Sequence, residues 1–305
     1  MILSFLLLSA TTSLAQEERE APHVGVHEWG VITWDFGEAL VQSAPFIFQE
    51  AVTRAPVIYF HGPEFTGSFT VTVENGQLIE LYPTAAPWQP DSYTWSGRFS
   101  LDYLPLRDLS ETDRGLLAPS DFQWALEFWR MPETLTFNGD DGITEKFLYY
   151  ESTLEDVTFL PLYPGSEIEP ERSTTLNLEL LLLGMEDGEL MATTCTLARF
   201  AARSGMPLNW ETVVSDDGLE IRNIFYEWSK DLIDIEEVDA LWFTWRDWFT
   251  TGSFDGRRNM EDAVLAVYLM PQELTENVSN LSLETEEGFP VDYSRYLLVA
   301  VPVIL

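Results

Sequence analysis

Apolar and polar residues alternate through Phe69-Thr-Val-Thr-Val73 and again through Leu78-Ile-Glu-Leu-Tyr82, with Glu74-Asn75-Gly76-Gln77 between the two runs. A period of two marks half-buried strands, and Asn-Gly tolerates the positive φ angles of a tight turn, so the stretch predicts an antiparallel hairpin. Further Asp-Gly pairs at 141–142, 187–188, 217–218 and 255–256 mark other turns. Val24 to Trp34, Pro56 to Phe60 and Lys146 to Tyr150 are rich in β-branched and aromatic residues and read as strands. Leu176 to Leu183 and Glu189 to Leu197 form a second strand pair around Glu186-Asp187-Gly188; Leu180 to Leu183 is apolar throughout, as expected of a strand covered on both faces. Strands return at Ala263 to Met270, stopped by Pro271, and at Tyr293 to Val303.

Between these blocks the period changes. Ile221, Ile224, Phe225, Trp228 and Leu232 are spaced for one helical face, and Val238, Leu241, Trp242, Trp245, Trp248 and Phe249 trace a second apolar stripe that Gly252 ends. Asp234 with Glu237 three residues on has the form of a capping box at the second helix's start. The pattern therefore predicts an α+β fold, mostly antiparallel sheet and sandwich-like, with a helical hairpin near residues 218–250 packed on a sheet.

The N-terminus adds a destination. Ile2 to Leu8 is a short apolar core, and Ser13 and Ala15 are the small residues of a cleavage site, so residues 1–15 read as a signal peptide and the mature chain starts at Gln16. The apolar run is shorter than the roughly 20 residues of a membrane span, and nothing later in the sequence is long enough. Residues 16–305 then form one β-rich unit, divisible into lobes near 16–165 and 166–305 at the Pro-rich stretches. The expected location is the periplasm, the cell surface or the medium. Acidic residues number 51 against 16 basic, a net charge of −35 that repels nucleic acid phosphates and excludes nucleic acid as a partner. Cys195 is the sole cysteine, so stability rests on packing without an internal disulfide; it reads as a core residue.

Chemistry-bearing residues are few. No Gly-x-Ser-x-Gly elbow occurs, and Asn138 to Gly142 lacks the ligand spacing of an EF-hand loop. The three histidines, His23, His27 and His61, all lie in the N-terminal portion, and His23 and His27 share a face of the first strand by their even spacing. If the strand carrying His61 pairs alongside, the three could bind zinc or another divalent transition metal, with Glu28, Asp35 or Glu64 as an oxygen ligand, although Glu28 should point away from His27. The competing reading makes these histidines ordinary sheet residues bonded to backbone. Trp88, Tyr93 and Trp95 crowd a Pro-rich stretch and could form an aromatic platform for a glycan, against the ordinary reading of core packing.

Several segments resemble, in order, those of one family of secreted bacterial proteins. Val26-His27-Glu28-Trp29-Gly30 looks like its VHEWG signature; Ala55 to Phe60, Gly76 to Pro83 and Glu145 to Tyr150 resemble further motifs, with Glu151 where the family pattern has Arg. Trp245-Arg246-Asp247-Trp248-Phe249 and Val267 to Pro271 continue the likeness to the second helix and the strand after it. The resemblance implies export and a shared fold. It implies no reaction, cofactor or site residue. Two functional classes follow: a noncatalytic envelope or extracellular binding protein, or a metal-assisted hydrolase built on His23, His27 and His61.

Overall fold

The structure is a computed structural model, described for residues 22–35, 50–84, 89–101, 125–140, 142–163, 176–202, 208–250 and 263–304. The signal segment and Trp88 lie outside these residues. The strands are β1 (Val24–Asp35), β2 (Glu50–His61), β3 (Phe65–Thr72), β4 (Leu78–Tyr82), β5 (Ser92–Ser100), β6 (Thr136–Gly139) and β7 (Thr144–Glu145). They continue as β8 (Leu148–Leu154), β9 (Glu179–Glu186), β10 (Glu189–Thr196), β11 (Thr212–Val213), β12 (Ala263–Leu269), β13 (Asn280–Thr285) and β14 (Val291–Ile304). Among the described residues the α-helices are α1 (Leu126–Trp129), α2 (Leu197–Ala201), α3 (Leu219–Ser229) and α4 (Ile235–Thr250).

Nine strands form one mixed sheet in the order β11-β10-β9-β12-β14-β1-β2-β8-β4, and five form an antiparallel sheet in the order β13-β3-β5-β6-β7. In the large sheet β1 runs parallel to β14 and every other pair is antiparallel, so the fold is α+β and mostly antiparallel β. The first described strand, β1, lies in the interior of this sheet between β14, which is its central strand, and β2.

Strand alternation divides the core. Trp29, Val31, Val57, Tyr59, Leu181, Leu183, Val267, Tyr296 and Leu298 face the helices and meet Ile221 and Phe225 of α3 with Val238, Leu241, Trp242, Trp245 and Phe249 of α4. On the opposite face Val26, Ile58, Phe60 and Leu148 pack on Phe69, Trp95, Phe99 and Phe137 of the small sheet, and farther along Ile32, Leu180, Leu182 and Val299 form a third cluster. Leu180 to Leu183 is fully buried because both faces of β9 are covered. The Tyr296 hydroxyl donates to Phe225 O at 2.9 Å and Trp129 Nε1 to Thr244 Oγ1 at 2.8 Å, which fix the helices over the sheet. Asp187 and Gly188 take positive φ in the β9–β10 turn, as its sequence predicted.

The hairpin expected at Asn75-Gly76 does not form. β3 pairs with β5 and β13 in the small sheet, whereas β4 pairs with β8 in the large one, so 73–77 is a corner between sheets. Its backbone bonds elsewhere: Val73 N–H to Asp91 O at 2.8 Å, and Thr153 N–H to Gln77 O at 2.9 Å. A Cβ at Gly76 would lie 1.8 Å from Thr153 O, so the glycine permits a close strand approach instead of a tight turn. Alternation is common to both arrangements, because each run buries one side whichever sheet it joins.

Candidate metal centre

His27 and His61 come together on the helix-covered face of the large sheet. In the β1–β2 register His27 lies opposite Tyr59 and His61 opposite Gly25, which makes the histidines diagonal neighbours. Their ring centroids are 4.2 Å apart and tilted by 37°. Tyr59, on the same face and buried, donates its hydroxyl to Trp129 O at 2.9 Å and forms the floor toward the core. The imidazoles lie at the margin, 18% and 20% exposed.

The third member comes from the first turn of α4. Glu237 N–H and Val238 N–H bond Asp234 O at 3.0 and 3.1 Å, and the Glu237 carboxylate reaches back to Asp234 N–H at 2.8 Å, which is the return arm of a capping box. The same side chain faces the sheet. Its Oε2 lies 2.9 Å from His27 Nδ1 and its Oε1 2.8 Å from His61 Nε2. Asp234 Oδ2 stands 3.9 Å from the other ring nitrogen of His61, Nδ1, and its side chain is 66% exposed. Among the described residues, ligand-capable atoms of His27, His61, Asp234 and Glu237 all fall within 4.8 Å of one another.

Glu237 is fully buried, and an unpaired carboxylate there would cost several kcal/mol. Burial alone would raise its pKa, but the hydrogen bonds to His27 and His61 and their charge outweigh it and hold the group below the usual carboxylate range. The helix N-terminus also favours a negative charge at this position. For His27, burial lowers the pKa, and the Glu237 bond and charge, with Asp234 behind them, overcome it and raise the net value. Burial and then the charge of Glu237 push the Tyr59 hydroxyl well above its ordinary range, so it remains a neutral donor.

Two imidazole nitrogens and a carboxylate on one side of a point suit a divalent transition ion better than calcium or magnesium, which prefer oxygen ligands. Ligand atoms about 2.1 Å from one ion lie about 3.0 Å apart at right angles and about 3.4 Å apart in a tetrahedron. The Glu237-to-histidine separations of 2.8 and 2.9 Å are those of hydrogen bonds, which an ion held by the same atoms would replace.

The other sequence-derived candidates fall elsewhere. His23 precedes β1, is 56% exposed and has Nε2 at 3.6 Å from Asp292. Glu28 points to the opposite face, as its position next to His27 requires, and pairs with Arg295. Glu64 bonds Arg98 at 2.8 Å and Leu101 N–H at 3.0 Å, and Asp35 ends β1 far along the strand from His27. Trp95, 3% exposed, donates Nε1 to Pro83 O at 2.6 Å and packs on Phe69, while Tyr93 sits edge-on to it at 4.7 Å. The Trp95 ring is thus taken by the protein's own core, while Tyr93 is partly buried beside it. Glu237 and Asp234 were visible in the sequence only as a helix cap. The available signal was a carboxylate in line with Leu241 and Trp245 at spacings of four on the buried stripe.

No protein-family model, no curated protein and no solved structure matches the chain.

Proposed function

We propose that this protein binds a divalent transition-metal ion through His27 Nδ1, His61 Nε2 and the carboxylate of Glu237. The observation that carries this reading is one buried carboxylate in contact with imidazoles from two different strands, with the ligand-capable atoms of His27, His61, Glu237 and Asp234 all within 4.8 Å of one another. Two imidazoles and a helix cap could neutralise Glu237 unaided. A cap, however, needs only the bond to Asp234 N–H, and the two imidazoles that converge on the same carboxylate supply the mixed nitrogen and oxygen set such an ion takes. The leader-like N-terminus and the likeness to secreted bacterial proteins support a setting outside the cytoplasm, where the protein serves as a noncatalytic metal-binding component of the envelope or medium.

A second reading, metal-assisted hydrolysis, is favoured by one feature. The side of the cluster bearing Asp234 is open to solvent, and a metal held by three protein ligands with a free position can activate water.

Elemental analysis of the mature chain, purified without a histidine tag and dialysed against metal-free buffer, tests the binding reading beside a His27→Ala, His61→Ala double variant. One equivalent of zinc, iron, cobalt or manganese in the parent, absent from the folded variant, is the expected result. A parent that holds no ion after reloading with each metal, or a variant that retains it, overturns the reading. Ester and amide hydrolysis by the loaded parent then separates the two readings.

A further inference from the structure

We infer that Asp234 is the positioning residue of this centre, acting on both His61 and Glu237; the inference rests on the metal-binding reading. Three facts place it. The Asp234 backbone N–H holds Glu237 Oε2 at 2.8 Å, on the oxygen shared with His27. Its carboxylate stands 3.9 Å from His61 Nδ1, the nitrogen that Glu237 leaves unused. Its side chain is largely exposed and can rotate, whereas Glu237 is enclosed.

An ion on His61 Nε2 fixes the proton of that neutral ring on Nδ1, and a metal-bound histidine characteristically donates this second N–H to a carboxylate. The present 3.9 Å gap is longer than a hydrogen bond. A side-chain rotation of Asp234 closes it once Nδ1 is an obligate donor. One residue at the start of α4 would then aim two of the three ligands, by its backbone toward Glu237 and by its side chain toward His61. The helix start and the metal would be coupled, since displacement of either loosens the other.

The test separates this role from helix capping. Asp234→Asn keeps the backbone N–H and a favourable N-cap residue but removes the carboxylate's charge; Asp234→Ala keeps the backbone N–H and removes both the N-cap side chain and the charge. Cobalt titrations followed by calorimetry and visible absorption compare the parent with these two variants and with Asp231→Asn, which makes the same charge change in the preceding turn. Asp234→Asn is expected to weaken cobalt binding by about 10-fold to 100-fold and alter the absorption bands, while its melting temperature in chelator stays at the parent's. Asp234→Ala is expected to show the same weakening with a lower melting temperature, and Asp231→Asn to match the parent within about twofold. Parent-like affinity and spectrum in Asp234→Asn, or an equal loss in Asp231→Asn, overturns the role of Asp234 and leaves the metal reading standing. A parent that binds no cobalt removes the metal reading, and this role with it.

Discussion

His27 and Glu28 are adjacent on β1 and belong to two unlike polar clusters, one on each face of the sheet. Glu28 is fully buried and is met by Arg295 and by the Tyr150 hydroxyl at 2.6 Å. The Arg295 guanidinium is further spent on Thr275 O and Ser279 O, both at 2.7 Å, and on Ser279 Oγ at 2.6 Å. Among the described residues these groups satisfy one another, and the network ties β1, β8, β14 and the 3-10 turn Gln272–Asn277 into one unit. The His27 cluster also surrounds a buried carboxylate, but its partners are two imidazoles at the solvent margin, and the Asp234 carboxylate stands 3.9 Å from the second ring nitrogen of His61. A permanent guanidinium makes a structural joint, whereas an imidazole can take up either a proton or an ion, which is the ground for the proposed site.

The largest expected effect lies on the structural side. Arg295→Met leaves Glu28 buried without its cation, and removing one partner of a buried pair costs about 3–5 kcal/mol. Urea denaturation of this variant should show that loss equally with zinc and with chelator. A loss under about 1 kcal/mol, or one restored by zinc, would erase the distinction between the two clusters.

The next effect is a crossing of pH dependences. The pKa of His27 in the fold lies above its ordinary 6.5, so its contribution is fully present below that value and is lost as pH rises through the folded pKa. Glu237 has the opposite sign: its pKa is depressed below 4.5, and its contribution is lost only as pH falls through the folded value. In chelator, stability should therefore decline from mildly acidic pH upward, by at most about 1.4 kcal/mol per pH unit for one proton. Zinc competes with the same protons, so its binding strengthens as pH rises, and at 100 times its Kd it adds about 2.7 kcal/mol. Thermal melts across pH 5 to 8 should show the zinc and chelator curves diverging with pH. Parallel curves would mean that the histidines serve only as counterions.

Much of this architecture is legible in the residues, and the losses have physical causes. The apolar run Leu180 to Leu183 announces burial on both sides, and the spacing from Val238 to Phe249 announces the face that α4 lays on the sheet, because both depend on local periodicity. The corner at Asn75-Gly76 was illegible because alternation says which side of a strand is buried and not which strand lies beside it. For the site, strand pairing was enough to suggest His27 with His61, whereas even spacing grouped His27 with His23. Glu237 could not be assigned, because it is 210 residues from His27 in sequence and its capping role already accounted for its position. Trp95 was misleading in another way: a Pro-rich neighbourhood looks like loop, yet β5 carries the ring into the core between the sheets.

The smallest expected effect concerns His23, which alternation groups with His27 and the fold separates from it. Alternation applies only within a strand, and β1 begins at Val24, where its backbone N–H bonds Pro290 O at 2.9 Å. His23 lies one residue before this anchor, in contact with Asp292, which is 72% exposed. An exposed pair of this kind contributes little, so His23→Ala should change stability by no more than about 0.5 kcal/mol and leave metal stoichiometry and affinity at the parent's values. Chemical denaturation and a metal titration of the variant check both. If instead its affinity fell tenfold, the ion would draw a third imidazole from the start of β1, and the centre would be larger than the set formed by His27, His61, Asp234 and Glu237.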